Sequence, residues 1–173
     1  MTFPITNDAD SKRKAIKSLS APATPLFAVL DAARSGQVLS FLCGAKEEFQ
    51  SLYEGPEAKQ LSTVAPYLVS LTSGSKTLER MVNQGWGQSW GIYLSCPLPF
   101  TELRRHLRHF LFVESEETRE QLYFRFYDPR VLRVFLSSCT PQQWKEFFGQ
   151  IECFWAESSE RTLTEFPRSM KKG

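Results

Sequence analysis

Residues 123–135 read YFRFYDPRVLRVF, and the parsing of this stretch decides the fold. Its first half alternates. In an extended chain Tyr123, Arg125 and Tyr127 share one face, and Phe124 and Phe126 take the other, core-facing one. Its second half changes period. Asp128 is a good helix N-cap and Pro129 a good first helical residue, so PRVLRVFLSS continues as a helix with Val131, Leu132 and Phe135 inward. A strand that runs through a capped junction into a helix, within one lobe, predicts an α/β fold. Arg125 and Arg130 are not accounted for by the junction. Arg125 either lies between Tyr123 and Tyr127 as a flat cationic contact surface or pairs with a carboxylate such as Asp31 or Asp128.

The same punctuation extends in both directions. LFAVLDAA (26–33) is an apolar run suited to a buried strand, with Asp31 at its end. A helix follows to Gly44, and strands are expected at 48–55 and 65–71, with a helical turn at 56–64 between them. KTLERMVNQG (76–85) fits a helix that Gly85 closes, and GWGQSWGIYLSC (85–96) is a turn running into a strand. Residues 99–117 hold a helix that Thr101 caps, with Leu103, Leu107 and Phe110 on its apolar stripe and Arg104, Arg105 and Arg108 turned outward. Residues 111–128 read as a β-hairpin with an acidic turn. TPQQWKEFFG (140–149) is framed by Thr140, Pro141 and Gly149 as a helix, and 151–158 as a last strand.

These elements predict one α/β lobe over residues 26–158, a mixed β-sheet flanked by helices. The hairpin requires antiparallel pairing, and the strand–helix–strand unit at 65–96 favours a parallel pair. Residues 1–25 read as a loose or partly helical polar arm and 159–173 as a basic polar tail.

Composition bounds the function. The 173 residues carry a formal net charge of +2, which supplies no field for a polyanion, so no nucleic-acid binding is expected of the whole chain. A local arginine ledge on ELRRHLRHF is the remaining route to it. Aromatic side chains are abundant, with 14 Phe, 5 Tyr and 4 Trp, a composition that suits a ring-rich core and also protein interfaces. The four cysteines form no close pair, and His106 and His109 stand alone at i and i+3, so no metal is expected. The N-terminus shows no apolar leader and no run approaches the length of a membrane span, which predicts a reduced, cytoplasmic protein without membrane insertion. There is no GxSxG, Walker or HExxH pattern and no GxGxxG loop, so no cofactor is expected. Distant residues still meet in folds, and a small hydrolase using the strand-end carboxylates Asp31 and Asp128 stays open.

LFAVLDAAR, VAPYLVSL, GWGQSWGIYL, ELRRHLRHFL and YFRFYDPRVLRVFL, in this order, resemble the adaptor-chaperone family of bacterial type VI secretion systems. The resemblance runs from about Leu26 to Gly149. It implies a non-enzymatic protein that binds a secreted effector in the cytoplasm and helps load it on the spike protein. Family members commonly add a helical lobe; here only a short segment follows Gly149, as in a short member or a truncated chain. Among the positions that match, Asp31, Trp90 and Asp128 are expected to maintain the fold. Trp86, Arg104, Arg108, Arg125 and Arg130 are expected to contact the partner.

Overall fold

The computed structural model describes residues 7–170. Its centre is β1 (Leu26–Asp31), six residues that are all buried. A strand is apolar on every residue only when both of its faces are covered, and β1 is covered on both. Phe27 and Val29 point into one core, and Leu26, Ala28 and Leu30 into the other. β3 (Pro66–Leu71) and β4 (Gly91–Ser95) flank it, each antiparallel to it. β2 (Phe49–Ser51) lies outside β3; β7 (Cys153–Glu157) and β8 (Leu163–Pro167) lie outside β4. The order is β2-β3-β1-β4-β7-β8.

The α/β lobe is therefore as expected, but the parallel pair is not formed. β3 and β4 do run the same way, as their strand–helix–strand connection requires. β1 is inserted between them, and every pairing in the sheet is antiparallel. Of the 1–25 arm, residues 1–6 lie outside the described residues; the rest holds α1 (Asp8–Ser20), which buries Ala15 and Leu19 in the core that α4 (Lys76–Gly85) also covers. The stretch from 159, expected as a tail, returns as β8 along β7.

α2 (Gly36–Cys43) joins α1 and α4 on that face of the sheet. The opposite face is covered by α5 (Phe100–His109), α6 (Pro129–Ser138) and α7 (Pro141–Phe148). Short α3 (Pro56–Gln60) links β2 to β3. The frame of α7 is as the sequence indicates. Thr140 and Gln143 form a reciprocal capping box, Pro141 opens the helix, and Gly149 leaves it with φ +51°. A side chain at 149 would also strike the ring of His106, whose Nε2 donates to the Phe147 carbonyl at 2.8 Å. α5 begins at Phe100 behind Pro99, not behind Thr101, and no side chain caps it.

The decisive stretch is corrected in one respect. The hairpin strands β5 (Phe112–Glu114) and β6 (Gln121–Tyr123) are only three residues each, and β6 stops at Tyr123. The chain then turns inward. Phe126 and Tyr127 are both buried, and Phe124 is half-buried against the core. The two phenylalanines thus meet the core as predicted, while Tyr127, predicted to face outward, is buried beside Phe126 because the alternation ends with the strand. Trp90, Ile92 and Leu132 are buried as expected.

Candidate partner-binding site

Asp31 ends β1 with no exposed surface. One carboxylate oxygen accepts from the Ala33 backbone N–H at 3.0 Å, which closes the turn after the strand. The other accepts a charge-assisted hydrogen bond from Arg125, 94 positions further along the chain. The Arg125 side chain stays 43% exposed, and its guanidinium lies 5.9 Å from the centre of the Tyr127 ring. Of the two sequence readings of Arg125, the ion pair with Asp31 is formed, while the side chain lies over Tyr127 alone and still presents a face to solvent.

Asp128 repeats the arrangement at the start of α6. Its carboxylate accepts from the Arg130 backbone N–H at 2.9 Å and forms two parallel bonds with the Arg130 guanidinium, at 3.0 and 2.6 Å. The cap is local and follows from the Asp-Pro-Arg order. Burial opposes ionisation of Asp128, but the Arg130 bonds and charge outweigh it and hold the carboxyl below its ordinary range. A group depressed in the folded state stabilises fully above its unfolded pKa of about 3.9 and loses that contribution as pH falls through the folded value. Asp128→Ala should therefore cost about 1 kcal/mol at neutral pH through the lost cap. Urea denaturation across the acid range should show a shallower loss of stability in the variant than in the parent. An unchanged melting temperature would remove the cap from the account.

Of the α5 arginines Arg105 is exposed as expected, but Arg104 and Arg108 are not part of an outward ledge. Arg104 is buried and donates to the Ser51 and Tyr53 carbonyls at 2.7 and 3.1 Å and to Glu54 at 2.9 Å. Arg108 donates to the Leu52 carbonyl at 2.7 Å and pairs with Glu54 at 2.7 Å. Together they satisfy the carbonyls where β2 ends, a task suited to several fixed donors on one planar group. Trp86, expected at a partner surface, is 7% exposed in the core beside Trp90 and Met81. Among the described residues, no three His, Cys, Asp or Glu side chains gather as a metal site would require.

What the clamp builds is a groove of about 520 Å³. It is lined by Leu61, Phe112, Tyr53 and Tyr123, by the buried Leu52 and Leu111, and by Arg108 and Glu54. Of the eight large apolar side chains exposed among the described residues, three line it: Leu61 on the turn after α3, and Phe112 and Tyr123, a cross-strand pair on one face of the ribbon. Val113 and Leu122 pair on the opposite face of the ribbon. Isolated exposed apolar residues need no explanation, but a cluster flanking a groove does. A ladder of hydroxyls ties the groove to the carboxylate cluster: Tyr53 bonds Tyr123, and Tyr123 bonds Tyr127 at 2.7 Å. Burial first, then hydrogen bonds to Tyr127 and Tyr53, push the Tyr123 hydroxyl well above an ordinary phenol.

Sequence reasoning missed the groove. A signal was present: Leu111-Phe112-Val113 and Leu122-Tyr123-Phe124 are apolar without alternation, so a two-stranded ribbon cannot bury them all. Their grouping with Leu61 and Tyr53 carried no signal.

A family model described as a domain of unknown function (DUF4123) matches residues 26–146. No curated protein and no solved structure matches the chain.

Proposed function

The chain thus belongs to the DUF4123 family, and we propose that it is a non-enzymatic adaptor-chaperone of a type VI secretion system, acting in the cytoplasm. It holds a secreted effector and passes it to the spike protein. The observation that carries this reading is the groove with three exposed apolar side chains, Leu61, Phe112 and Tyr123, in its lining. Its occupant is an apolar segment of the effector with basic residues beside it. The ribbon tip supports the basic flank, because Glu116, Glu117 and Glu120 are exposed there and only Glu114 is paired, with Arg119 at 2.9 Å.

The strand-end carboxylates do not favour the hydrolase alternative. Asp31 and Asp128 are each engaged by an arginine, and neither lines the groove. A general acid at neutral pH needs a raised carboxyl, whereas that of Asp128 is lowered. Among the described residues no helix is long and apolar enough to cross a membrane.

Co-expression with the effector encoded beside it tests the proposal. The double variant Leu61→Ser/Phe112→Ser should leave the melting temperature nearly unchanged, since both side chains are already exposed. It should weaken effector capture by roughly thirtyfold, about 2 kcal/mol for two interface anchors. Capture unaffected by the pair would remove the groove as the site, and hydrolysis of a substrate by the purified chain would revive the enzyme reading.

A further inference from the structure

Beyond the groove, the arginines over the two buried carboxylates form a second surface. Arg125 and Arg130 are joined there by Arg34, which follows β1 and lies within electrostatic reach of Asp128. Arg130 also lines a shallow depression of about 200 Å³ with Arg133, Arg161 and Glu157. Arg133 donates to the Glu157 carbonyl, and the Glu157 carboxylate accepts from the Gly87 N–H at 2.7 and 2.9 Å. The cations are outermost: side-chain exposure is 43% for Arg125, 57% for Arg130 and 62% for Arg161, against 0% for Asp31 and 5% for Asp128.

We infer that this arginine face is a docking site for the carboxylates of an acidic protein segment. Three features carry the inference. The buried carboxylates fix two guanidiniums in place before any partner arrives, so little side-chain freedom is lost on binding. Arg125 and Arg130 repel one another, a cost to the free protein that an incoming anion relieves. Val134, the most exposed large apolar side chain among the described residues at 69%, sits one helical turn beyond Arg130. Apolar surface beside paired cations suits a protein segment better than a phosphate backbone. The charge surplus is also small, because five arginines stand over Asp31, Asp128 and Glu157, and one of them, Arg161, pairs with Asp8 at 3.6 Å. The inference does not depend on the groove being the effector site.

Fluorescence anisotropy of a labelled hexaglutamate peptide with the full chain at low salt is the test. Saturable binding is expected, weakened about tenfold, or 1.4 kcal/mol, in Arg130→Gln. Arg34→Gln/Arg161→Gln, which leaves both buried carboxylates paired, should weaken it similarly with an unchanged melt. Leu61→Ser/Phe112→Ser should bind the peptide like the parent, so failure of this site and failure of the groove are separable. The inference is overturned if hexaglutamate does not bind, if both arginine variants bind it normally, or if inorganic tripolyphosphate or a short DNA duplex binds more tightly than the peptide.

Discussion

Phe147→Ala should destabilise the protein by about 4 kcal/mol, the largest effect expected of any single ring in the core. Phe147 is fully buried on α7. Its ring stacks on Phe154 of β7 at 5.0 Å and meets Phe110, Phe126 and Phe135 edge-on at 5.2, 5.6 and 5.1 Å. Phe124 lies 6.2 Å away. One side chain thus joins the sheet, the end of α5, the inward-turning segment after β6, α6 and α7. Neighbours held by several elements cannot close on a cavity without moving a backbone, so the cost falls in the upper part of the usual range. For a chain of this length the melting temperature should fall by roughly 8–16 °C. Phe147→Leu should recover a good part of the loss by restoring volume. A fall under about 1 kcal/mol would show that the site collapses freely and that the ring cluster is not the keystone of this face.

The second large effect is expected at Arg125. Arg125→Ala removes the guanidinium from Asp31, which has no exposed surface and is left with the Ala33 N–H as its hydrogen-bond donor among the described residues. Breaking a buried pair on one side costs more than the pair is worth, because the remaining charge is stranded. The expected loss is about 3 kcal/mol, at the lower end of the range for such pairs, since water can enter where an exposed guanidinium stood. The double variant Asp31→Asn/Arg125→Ala should recover stability relative to Arg125→Ala, because no charge is then left unpaired. Chemical denaturation of the single and double variants closes the cycle. Additive losses would mean that Asp31 and Arg125 do not act as a pair. The variant also bears on the arginine face, but hexaglutamate binding is better read in Arg34→Gln/Arg161→Gln, where the fold is not at stake.

Much of the local structure was legible because it is settled by neighbours in the chain. Thr140-Pro141 and Gly149 bracket α7, Asp128-Pro129 starts α6, and the continuous apolar run of β1 announces a strand covered on both faces. The Asp128 cap was readable for the same reason. Errors arose where a local pattern had more than one completion. The alternation of 123–127 is that of a strand, yet β6 ends at Tyr123 because the following residues gain more by entering the core than by extending a solvent-exposed ribbon. The outward stripe of Arg104 and Arg108 is that of a solvated helix face, yet the open carbonyls at the end of β2, more than 50 positions earlier, recruit both.

The sequence by itself determined most element types between Leu26 and Glu157 and the α/β class, but not α1 as a packed helix or β8 as a strand. Only the tertiary structure decided that β1 lies between β3 and β4, that Asp31 meets Arg125, that Trp86 is buried, and that the ribbon and the turn after α3 enclose a groove. The reason is the range of the forces involved. Caps, turns and hydrophobic period act within a few residues and leave their mark in the local order of side chains. Strand adjacency and ion pairing are chosen among many distant partners by which arrangement buries the most apolar surface and leaves the fewest polar groups unsatisfied, and no window of sequence contains that comparison.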